Sequence, residues 1–339
     1  MSLRLLCIGF VVCTLAACAH TGSYQHKKEL DQMASPLLVD LDREPDAEIP
    51  LWPAGVPGAE NVSVREHYVH RENRFGLKDR AANDVTNPTL TLFKSANPDG
   101  SALLIIPGGG YKHVVVEKEG FEGARYFNTL GATVYVLKYR LPHQGWSAGP
   151  DTPLQDTQRA MRVIRARATQ DGIDPNRVMS MGFSAGGHMA GSLAARFAEH
   201  VYAPVDDTDT LSARPDASVL VYPVATMDAA HAHMGSREHL LGANPSPASV
   251  LKYSLEINPP ANTPPTFILH AADDGAVPVE NAVLVFNALK AVDVPVTLHI
   301  FETGGHGFGL RGIDDTPLSL WPELVYKWGQ THNIFKEDP

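Results

Sequence analysis

The fold of this chain is decided by the stretch Arg177-Val-Met-Ser-Met-Gly-Phe-Ser-Ala-Gly-Gly-His188. An apolar, strand-like run leads into Gly182-Phe-Ser-Ala-Gly186, and a helix-forming segment follows at residues 189–197. A serine at a sharp turn from strand to helix adopts a strained backbone conformation, and glycine neighbours keep the turn free of clashes. The helix N-terminus behind the serine favours the negative charge that develops during acyl transfer. The stretch therefore predicts a nucleophile elbow with Ser184 as its nucleophile.

The chemistry of such a turn requires two partners further along the chain. A serine hydroxyl becomes a strong nucleophile when an imidazole takes its proton and a carboxylate holds that imidazole in the right tautomer. The chain order in folds with this elbow is serine, acid, histidine. His306 follows a strand-like run, lies among glycines and is the predicted base. The turn after another strand-like run resembles that of serine hydrolases whose acid commonly lies four residues after the strand and four before a proline. This resemblance implies that Asp274, four residues before Pro278, is the acid. The adjacent Asp273 is the alternative.

Preorganised N–H donors must also face the acyl oxygen in the transition state. One donor is expected at Ala185, directly after the nucleophile. The other donors are expected to be the backbone N–H groups of Gly109 and Gly110, in a glycine-rich loop that follows a strand. Tyr111 and His188 are the predicted walls of the substrate pocket, because both lie near strand ends close to the nucleophile.

Two further groups of polar residues are interpreted without a catalytic role. Glu117-Lys-Glu119 is interpreted as a solvated face, and a role in orienting Tyr111 or substrate hydroxyl groups is the alternative. His231, His233 and His239 lie within nine residues, but their spacing fits neither a helix face nor a zinc-ligand pattern. We interpret them as part of a loop that is solvated or lines the substrate site. No metal and no cofactor are expected.

The bulk composition limits the class of protein. The 339 residues, 44% of them hydrophobic, are enough for one large α/β domain or two smaller ones. An excess of 38 acidic over 28 basic residues gives a net charge of -10, which argues against a nucleic-acid partner. All three cysteines lie in the first eighteen residues, so the body of the chain has no disulfide framework and no cysteine nucleophile.

The N-terminus is predicted to be an export signal. Arg4 supplies a positive charge before a short apolar stretch, and Leu15-Ala-Ala-Cys18 resembles a bacterial lipoprotein box. The resemblance implies a signal peptide at 1–17, lipidation of Cys18, and contact with the outer membrane only through that lipid. A conventional secretory cleavage site near Ala19, which would release a soluble periplasmic protein, is the alternative. Residues 18–50 are polar and aperiodic and are predicted to be a flexible tether.

Apolar strand patterns alternate with amphipathic helical patterns in the predicted domain, residues 51–335. This alternation predicts an α/β fold with a mostly parallel sheet and helices on both faces. The segment 224–265 is predicted to be an insertion, or lid, after the sixth strand, at the sheet edge where such folds bind ligands. Besides the elbow strand and its helix, strands are predicted at 89–93, 102–106, 133–137, 217–222, 266–270 and 296–301, and helices at 121–130, 152–171, 280–291 and 321–331.

The chain resembles the α/β-hydrolase superfamily and, within it, the bacterial group that includes acetylxylan and feruloyl esterases. Members are often labelled xylanase. The Gly-Gly-Gly loop is similar to the His-Gly-Gly-Gly motif of lipases and esterases, with Pro107 in place of the histidine. The matching stretches are Leu51-Trp-Pro-Ala-Gly-Val-Pro-Gly-Ala59, Asn87-Pro-Thr-Leu-Thr-Leu92, Pro107-Gly-Gly-Gly-Tyr111, Glu117-Lys-Glu-Gly120, Leu137-Lys-Tyr-Arg-Leu141, Gly182-Phe-Ser-Ala-Gly-Gly-His188 and Gly304-Gly-His-Gly-Phe-Gly-Leu310.

The resemblance implies an exported serine esterase. Its expected substrates are acylated carbohydrates or small esters, with acetyl or feruloyl groups removed from a plant polysaccharide such as xylan. A xylanase would need two carboxylates flanking a glycosidic bond, and the sequence pairs no acids in that way. We therefore interpret any link to xylan as removal of its acyl groups.

Two alternative functions share the same residues. An exopeptidase of the prolyl-oligopeptidase type has the same elbow and the same order of serine, acid and histidine. A non-catalytic glycan-binding protein could keep the hydrolase scaffold. The first alternative predicts cleavage of aminoacyl-proline amides, and the second predicts a serine that a fluorophosphonate probe does not label.

Overall fold

An eight-stranded sheet forms the centre of the computed structural model, which describes residues 37–336. The strands in chain order are β1 Ala47–Pro50, β2 His67–His70, β3 Arg80–Asn83, β4 Thr89–Phe93, β5 Ala102–Ile106, β6 Thr133–Lys138, β7 Val178–Phe183, β8 Ala217–Val221, β9 Thr266–Ala271 and β10 Val296–Phe301. The order in the sheet is β1-β4-β6-β5-β7-β8-β9-β10. Strand β4 pairs antiparallel with β1 and β6, and every other pair in the sheet is parallel. The predicted mostly parallel sheet is confirmed.

Helices cover both faces of this sheet. They are α1 Glu122–Thr129, α2 Thr152–Ala166, α3 Ala168–Asp171, α4 Ala185–Arg196, α5 Met234–Leu241, α6 Pro247–Tyr253, α7 Glu280–Ala291 and α8 Trp321–Thr331. A side chain at Gly182 would meet Ala190 of α4, whereas the Phe183 ring lies 6.1 Å from the Trp321 ring of α8. Successive strand residues point to opposite faces, so α4 and α8 lie on opposite sides. Within residues 37–336, no helix combines the length and the apolar character needed to cross a membrane.

The domain begins earlier in the chain than predicted. The predicted tether, residues 18–50, overlaps the described residues, and there Ala47–Pro50 forms β1 on the edge of the sheet. Arg43 donates hydrogen bonds to the side chain of Asn128 and to the main chain of Lys94. The tether prediction was wrong for this part, because a four-residue, half-exposed edge strand has too few apolar residues to show a period. The predicted signal peptide, 1–17, and Cys18 lie outside the described residues.

A small hairpin, β2–β3, was not predicted. It pairs with the loop after β5 through two main-chain hydrogen bonds between Ala82 and Val114, each 2.8 Å long. This contact brings the hairpin turn, residues 71–79, to the carboxyl edge of the sheet. The turn therefore becomes part of the region where the predicted site residues meet.

The predicted insertion at 224–265 lies between β8, the sixth strand of the large sheet in chain order, and β9. It contains two short helices, α5 and α6, which the sequence analysis did not predict. The His233 imidazole accepts a hydrogen bond from the Ser236 amide at the start of α5, which is N-capping by an unusual residue. The predicted helix 152–171 is divided into α2 and α3 near Arg167.

Candidate active site

The turn between β7 and α4 has the strained geometry that its sequence predicts. Ser184 has φ 53° and ψ −118°, a region that residues with a side chain rarely adopt. A Cβ atom at Gly182 would lie 2.0 Å from the carbonyl oxygen of Gly186, and one at Gly186 would lie 2.0 Å from that of Ile106. Only glycine allows the strand, the helix and the end of β5 to approach this closely.

The structure brings Ser184, His306 and Asp274 into one chain of hydrogen bonds. The Ser184 hydroxyl lies 2.9 Å from Nε2 of His306, and Nδ1 of His306 lies 2.7 Å from the Asp274 carboxylate. The three residues follow the ends of β7, β10 and β9. In this arrangement Nδ1–H donates to the carboxylate, so that Nε2 is free to accept the serine proton.

Asp274 is held as a carboxylate by four hydrogen bonds. One oxygen accepts from the amides of Ala276 and Val277 at 2.9 and 2.8 Å. The other oxygen accepts from His306 and, at 3.1 Å, from His270. Burial raises the pKa of Asp274, but the hydrogen bonds from His270 and His306 outweigh burial and hold that pKa well below its usual range. The group is therefore ionised at neutral pH and can stabilise an imidazolium.

Asp273, the alternative acid, has a different partner. Its carboxylate accepts a hydrogen bond of 2.7 Å from the amide of Gly305, and its contact with the histidine loop is this main-chain bond. Asp273 therefore braces the loop that carries His306. The geometry favours Asp274 as the acid.

His270 is a buried residue of the site that the sequence analysis did not identify. It is the next-to-last residue of β9 and is fully buried. Its Nε2 faces two acceptors, the Asp274 carboxylate at 3.1 Å and the carbonyl of Val277 at 3.0 Å. Nε2 must therefore carry the proton, and the ring donates to both. The sequence feature that could have identified this residue is a histidine near a strand end, four residues before the acid.

The candidate oxyanion loop is anchored by a buried glutamate. Gly109 and Gly110 border the same cavity as Ser184, and Ala185 starts α4 directly behind it. The amide of Gly108 donates to Glu119 at 2.8 Å, and the hydroxyl of Tyr222 donates to the other oxygen of Glu119 at 3.0 Å. Both oxygens of this carboxylate are thus used to fix the loop.

The interpretation of Glu117-Lys-Glu119 as a solvated face was wrong. Glu117 and Glu119 are both buried, in a π-helical turn that leads into α1. Glu117 accepts a hydrogen bond from Arg80 at 2.7 Å, so each carboxylate has a partner. Buried carboxylates require such partners. Arg80 and Tyr222, which supply two of these hydrogen bonds, belong to segments that are distant in the sequence from the two glutamates.

Tyr111 and His188 do not line the pocket, contrary to the prediction. Both side chains are almost fully buried, and the Tyr111 hydroxyl donates to Nδ1 of His188 at 2.6 Å. The other ring nitrogen of His188 donates to the carbonyl of Tyr253 at 2.7 Å. Burial lowers the pKa of His188 to about 4, so the ring is neutral. Because each polar atom has a partner, the pair can be buried, and it ties the oxyanion loop to α4 and α6.

A polar cavity of about 310 Å³ opens beside Ser184. Of the described residues that line it, Val115 is the one with an aliphatic side chain. Burial, together with nearby cations, lowers the pKa of His113 to about 4, so this imidazole is neutral at pH 7. In residues 37–336 no group of three or more His, Cys, Asp or Glu could hold a metal ion. The remaining lining residues are Arg71, Gly109, Gly110, Lys112, Lys118, Glu119, His233, Gly235, His239, His306 and Gly307.

Comparison with known proteins finds a matching family model and similar proteins that are named as a xylanase and an acetylxylan esterase. The family model BD-FAE matches residues 90–289. The chain is 38% identical over 229 residues to endo-1,4-beta-xylanase B of Butyrivibrio fibrisolvens, a match that covers 68% of this chain and 35% of the relative. It is 33% identical over 225 residues to an acetylxylan esterase of Xylanibacter ruminicola, covering 65% of this chain and 43% of the relative. The chain thus spans less than half the length of these curated relatives.

Solved structures share the fold. An acetyl ester-xyloside bifunctional hydrolase from Caldicellulosiruptor lactoaceticus superposes with a TM-score of 0.70 at 33% identity, covering 86% of this chain and 98% of that one. A thermophilic esterase from Thermogutta terrifontis superposes with a TM-score of 0.61 at 23% identity, covering 84% of this chain and 98% of that one. The predicted α/β-hydrolase fold is confirmed by these superpositions together with the strand order.

Replacing Glu119 with alanine tests the anchoring of the oxyanion loop. Without the carboxylate, the amide of Gly108 and the hydroxyl of Tyr222 lose their acceptor, and the loop shifts away from Ser184. Because displacements of about 1 Å reduce rates by about 100-fold, we expect Ser184 to react with a fluorophosphonate probe about 10 to 100 times more slowly. Gel-based labelling of folded protein measures this rate. Glu323→Ala, at an exposed position of α8, is the matched control. A Glu119→Ala rate within about twofold of wild type would contradict the anchoring role.

Proposed function

Since this chain belongs to the BD-FAE family of α/β-hydrolase esterases, we propose that it is a serine esterase that removes acetyl groups from a plant polysaccharide such as xylan. The observation that carries the proposal is the hydrogen-bonded chain of Ser184, His306 and Asp274, which opens onto a polar cavity. The acetylxylan esterase among its relatives supports an acetylated carbohydrate as substrate.

The proposed reaction proceeds through an acyl-enzyme. The Ser184 oxygen attacks the ester carbonyl while Nε2 of His306 accepts the hydroxyl proton, and Asp274 stabilises the imidazolium. The amides of Gly109, Gly110 and Ala185 are the proposed donors to the oxyanion. The tetrahedral intermediate expels the sugar oxygen, which takes the proton from His306. Water, deprotonated by His306, then attacks the acyl-enzyme and releases the carboxylic acid and the free serine.

Replacing the proposed nucleophile is the decisive test. Ser184→Ala should reduce kcat for p-nitrophenyl acetate by about 10⁶-fold, as in other enzymes whose triad serine has been removed. Ser63→Ala, at an exposed position, should retain wild-type activity. Undiminished turnover in Ser184→Ala would refute the proposal. Cleavage of aminoacyl-proline amides, with no cleavage of acetyl esters, would favour the exopeptidase. A folded wild-type protein that a fluorophosphonate probe does not label would favour the glycan-binding scaffold.

The lining of the cavity predicts a preference for short acyl groups. Among residues 37–336, Val115 is the one aliphatic side chain in the lining, so a long acyl chain would find few aliphatic partners in this cavity. We expect kcat/KM for p-nitrophenyl esters to fall from acetate to butyrate and to be nearly lost at octanoate, because each extra methylene costs about 1–3 kcal/mol in a tight site. A maximum of kcat/KM at octanoate would contradict the predicted preference for short acyl groups. Strong turnover of methyl ferulate would show that the acyl group is feruloyl.

We also propose that the protein is exported and anchored to the outer membrane through lipid on Cys18, as its resemblance to a lipoprotein box suggests. When the full-length protein is expressed in a Gram-negative host and the cells are fractionated, wild type should sediment with the membranes. Cys18→Ser should move into the soluble periplasmic fraction, because the attachment site is lost. Cys13→Ser, within the same signal, is the matched control and should stay with the membranes. Equal membrane association of the wild type and Cys18→Ser would rule out this anchor.

A further inference from the structure

Three cationic side chains line the cavity beside Ser184: those of Arg71, Lys112 and Lys118. Arg71 directly follows β2, and the two lysines lie in the segment after β5. In the described part of the chain, Glu119 supplies the one carboxylate that lines the same cavity. The lining therefore carries more positive than negative charge, although the chain as a whole has a net charge of -10.

These three cations lack carboxylate partners. Within residues 37–336 none of them forms an ion pair. The neighbouring guanidinium of Arg311, by contrast, pairs with both Glu122 and Asp79. Arg71 and Lys118 are partly buried, whereas Lys112 is exposed. A partly buried cation without a counterion is destabilised, and a bound anion would relieve that cost. The cavity is therefore prepared for a negatively charged ligand.

Of the three cations, Lys118 shows the unfavourable effect of burial and of neighbouring positive charge on its ammonium group. Its side chain is partly buried between the cavity and a second one, of about 300 Å³. Burial lowers the pKa of its ammonium group, and the nearby guanidinium groups of Arg311 and Arg71 lower that pKa further. Glu119 acts in the opposite direction, but both of its oxygens already accept hydrogen bonds from other groups.

The position of Lys118 indicates which half of the substrate carries the charge. Both cavities are bordered by Lys118, His306 and Gly307. His306 must deliver its proton to the departing sugar oxygen, so the sugar leaves on the side of His306. A Cβ atom built at Gly307, next to His306, would lie 3.9 Å from Nζ of Lys118, so this ammonium group lies beside His306 and we assign it to the alcohol half of the ester. The acyl half lies with Ser184 and the candidate oxyanion amides.

We propose that Arg71, Lys112 and Lys118 bind a carboxylate on the sugar part of the substrate. The preferred substrate is then an acetylated oligosaccharide that carries a uronate residue, the anionic sugar of plant polysaccharides. This inference rests on the proposed esterase function. A guanidinium binds a carboxylate through two parallel hydrogen bonds, and ammonium groups add attraction from less directional positions. Cations in a low-dielectric cleft also concentrate anionic ligands.

The test compares two acetylated xylo-oligosaccharides that differ by one glucuronate side group. We expect wild type to show about tenfold higher kcat/KM for the acidic substrate at low salt, the equivalent of one charge-assisted contact. The preference should shrink at about 0.5 M NaCl, because salt screens charges that are open to solvent. Absence of the preference at low salt, in an enzyme that hydrolyses p-nitrophenyl acetate, would overturn the inference and leave the esterase proposal standing.

Substitutions of the three cations test whether they cause the preference for the acidic substrate. Lys118→Met and Arg71→Met should lower the ratio of the two kcat/KM values to about 1–2, since each removes an attractive charge. Lys118→Arg should keep most of the ratio. Lys290→Gln, exposed on α7, is the matched control and should keep the wild-type ratio. If a buried-site variant does not fold, Lys112→Met, at an exposed position, provides the same comparison. An unchanged ratio in folded variants would overturn the assignment.

A third substrate distinguishes the two halves of the ester. Mono-p-nitrophenyl succinate carries its carboxylate on the acyl group, and p-nitrophenyl acetate is its neutral counterpart. We expect no preference for the succinate ester. A strong preference that Lys118→Met abolishes would place the carboxylate on the acyl side and overturn the assignment to the sugar. Full activity of Ser184→Ala on p-nitrophenyl acetate would instead refute the esterase function itself.

Discussion

The strained turn at Ser184 is the constraint on which the rest of the site depends. A residue held at such φ and ψ values costs about 1–3 kcal/mol and persists only where its surroundings hold it. The amide of Ser184 donates to Val221 at the end of β8, and its carbonyl accepts from the amides of His188 and Val224. The turn is therefore fixed by the next strand, by its own helix and by the start of the insertion. The absence of side chains at Gly182 and Gly186 lets these elements meet.

Buried polar contacts hold the surrounding loops in the same way. Glu119 fixes the loop of Gly109 and Gly110, while the pair of Tyr111 and His188 ties that loop to α4 and α6. Fully satisfied buried networks of this kind are rigid, because an unpaired polar group would be costly. Hydrogen-bond donors that are fixed before the substrate arrives need not reorganise during the reaction, and this is the main source of electrostatic catalysis.

The cavity differs in character from the protein around it. The chain is acidic overall, yet the cavity collects cations from two loops that the pairing of Ala82 with Val114 brings together. A lining of many polar side chains, among them the neutral His113, suits sugar hydroxyl groups, which need donors and acceptors at several angles. In the proposed function, the excess of cations in this lining also favours sugars that carry a negative charge. In that proposal, recognition of the sugar and activation of Ser184 therefore involve neighbouring but different residues.

The sequence alone determined the local features of this protein. The elbow, the order of Ser184, the acid and His306, and the main strands follow from residue periods of 2 and 3.6 and from short glycine patterns. The tertiary structure decided which side chains are buried and which line the cavity. In the structure Tyr111 is buried, His270 forms a hydrogen bond with the Asp274 carboxylate, and Arg71 lines the cavity. Each of these outcomes depends on contacts between segments far apart in the chain, and a local pattern carries no information about the surface that a distant segment will cover.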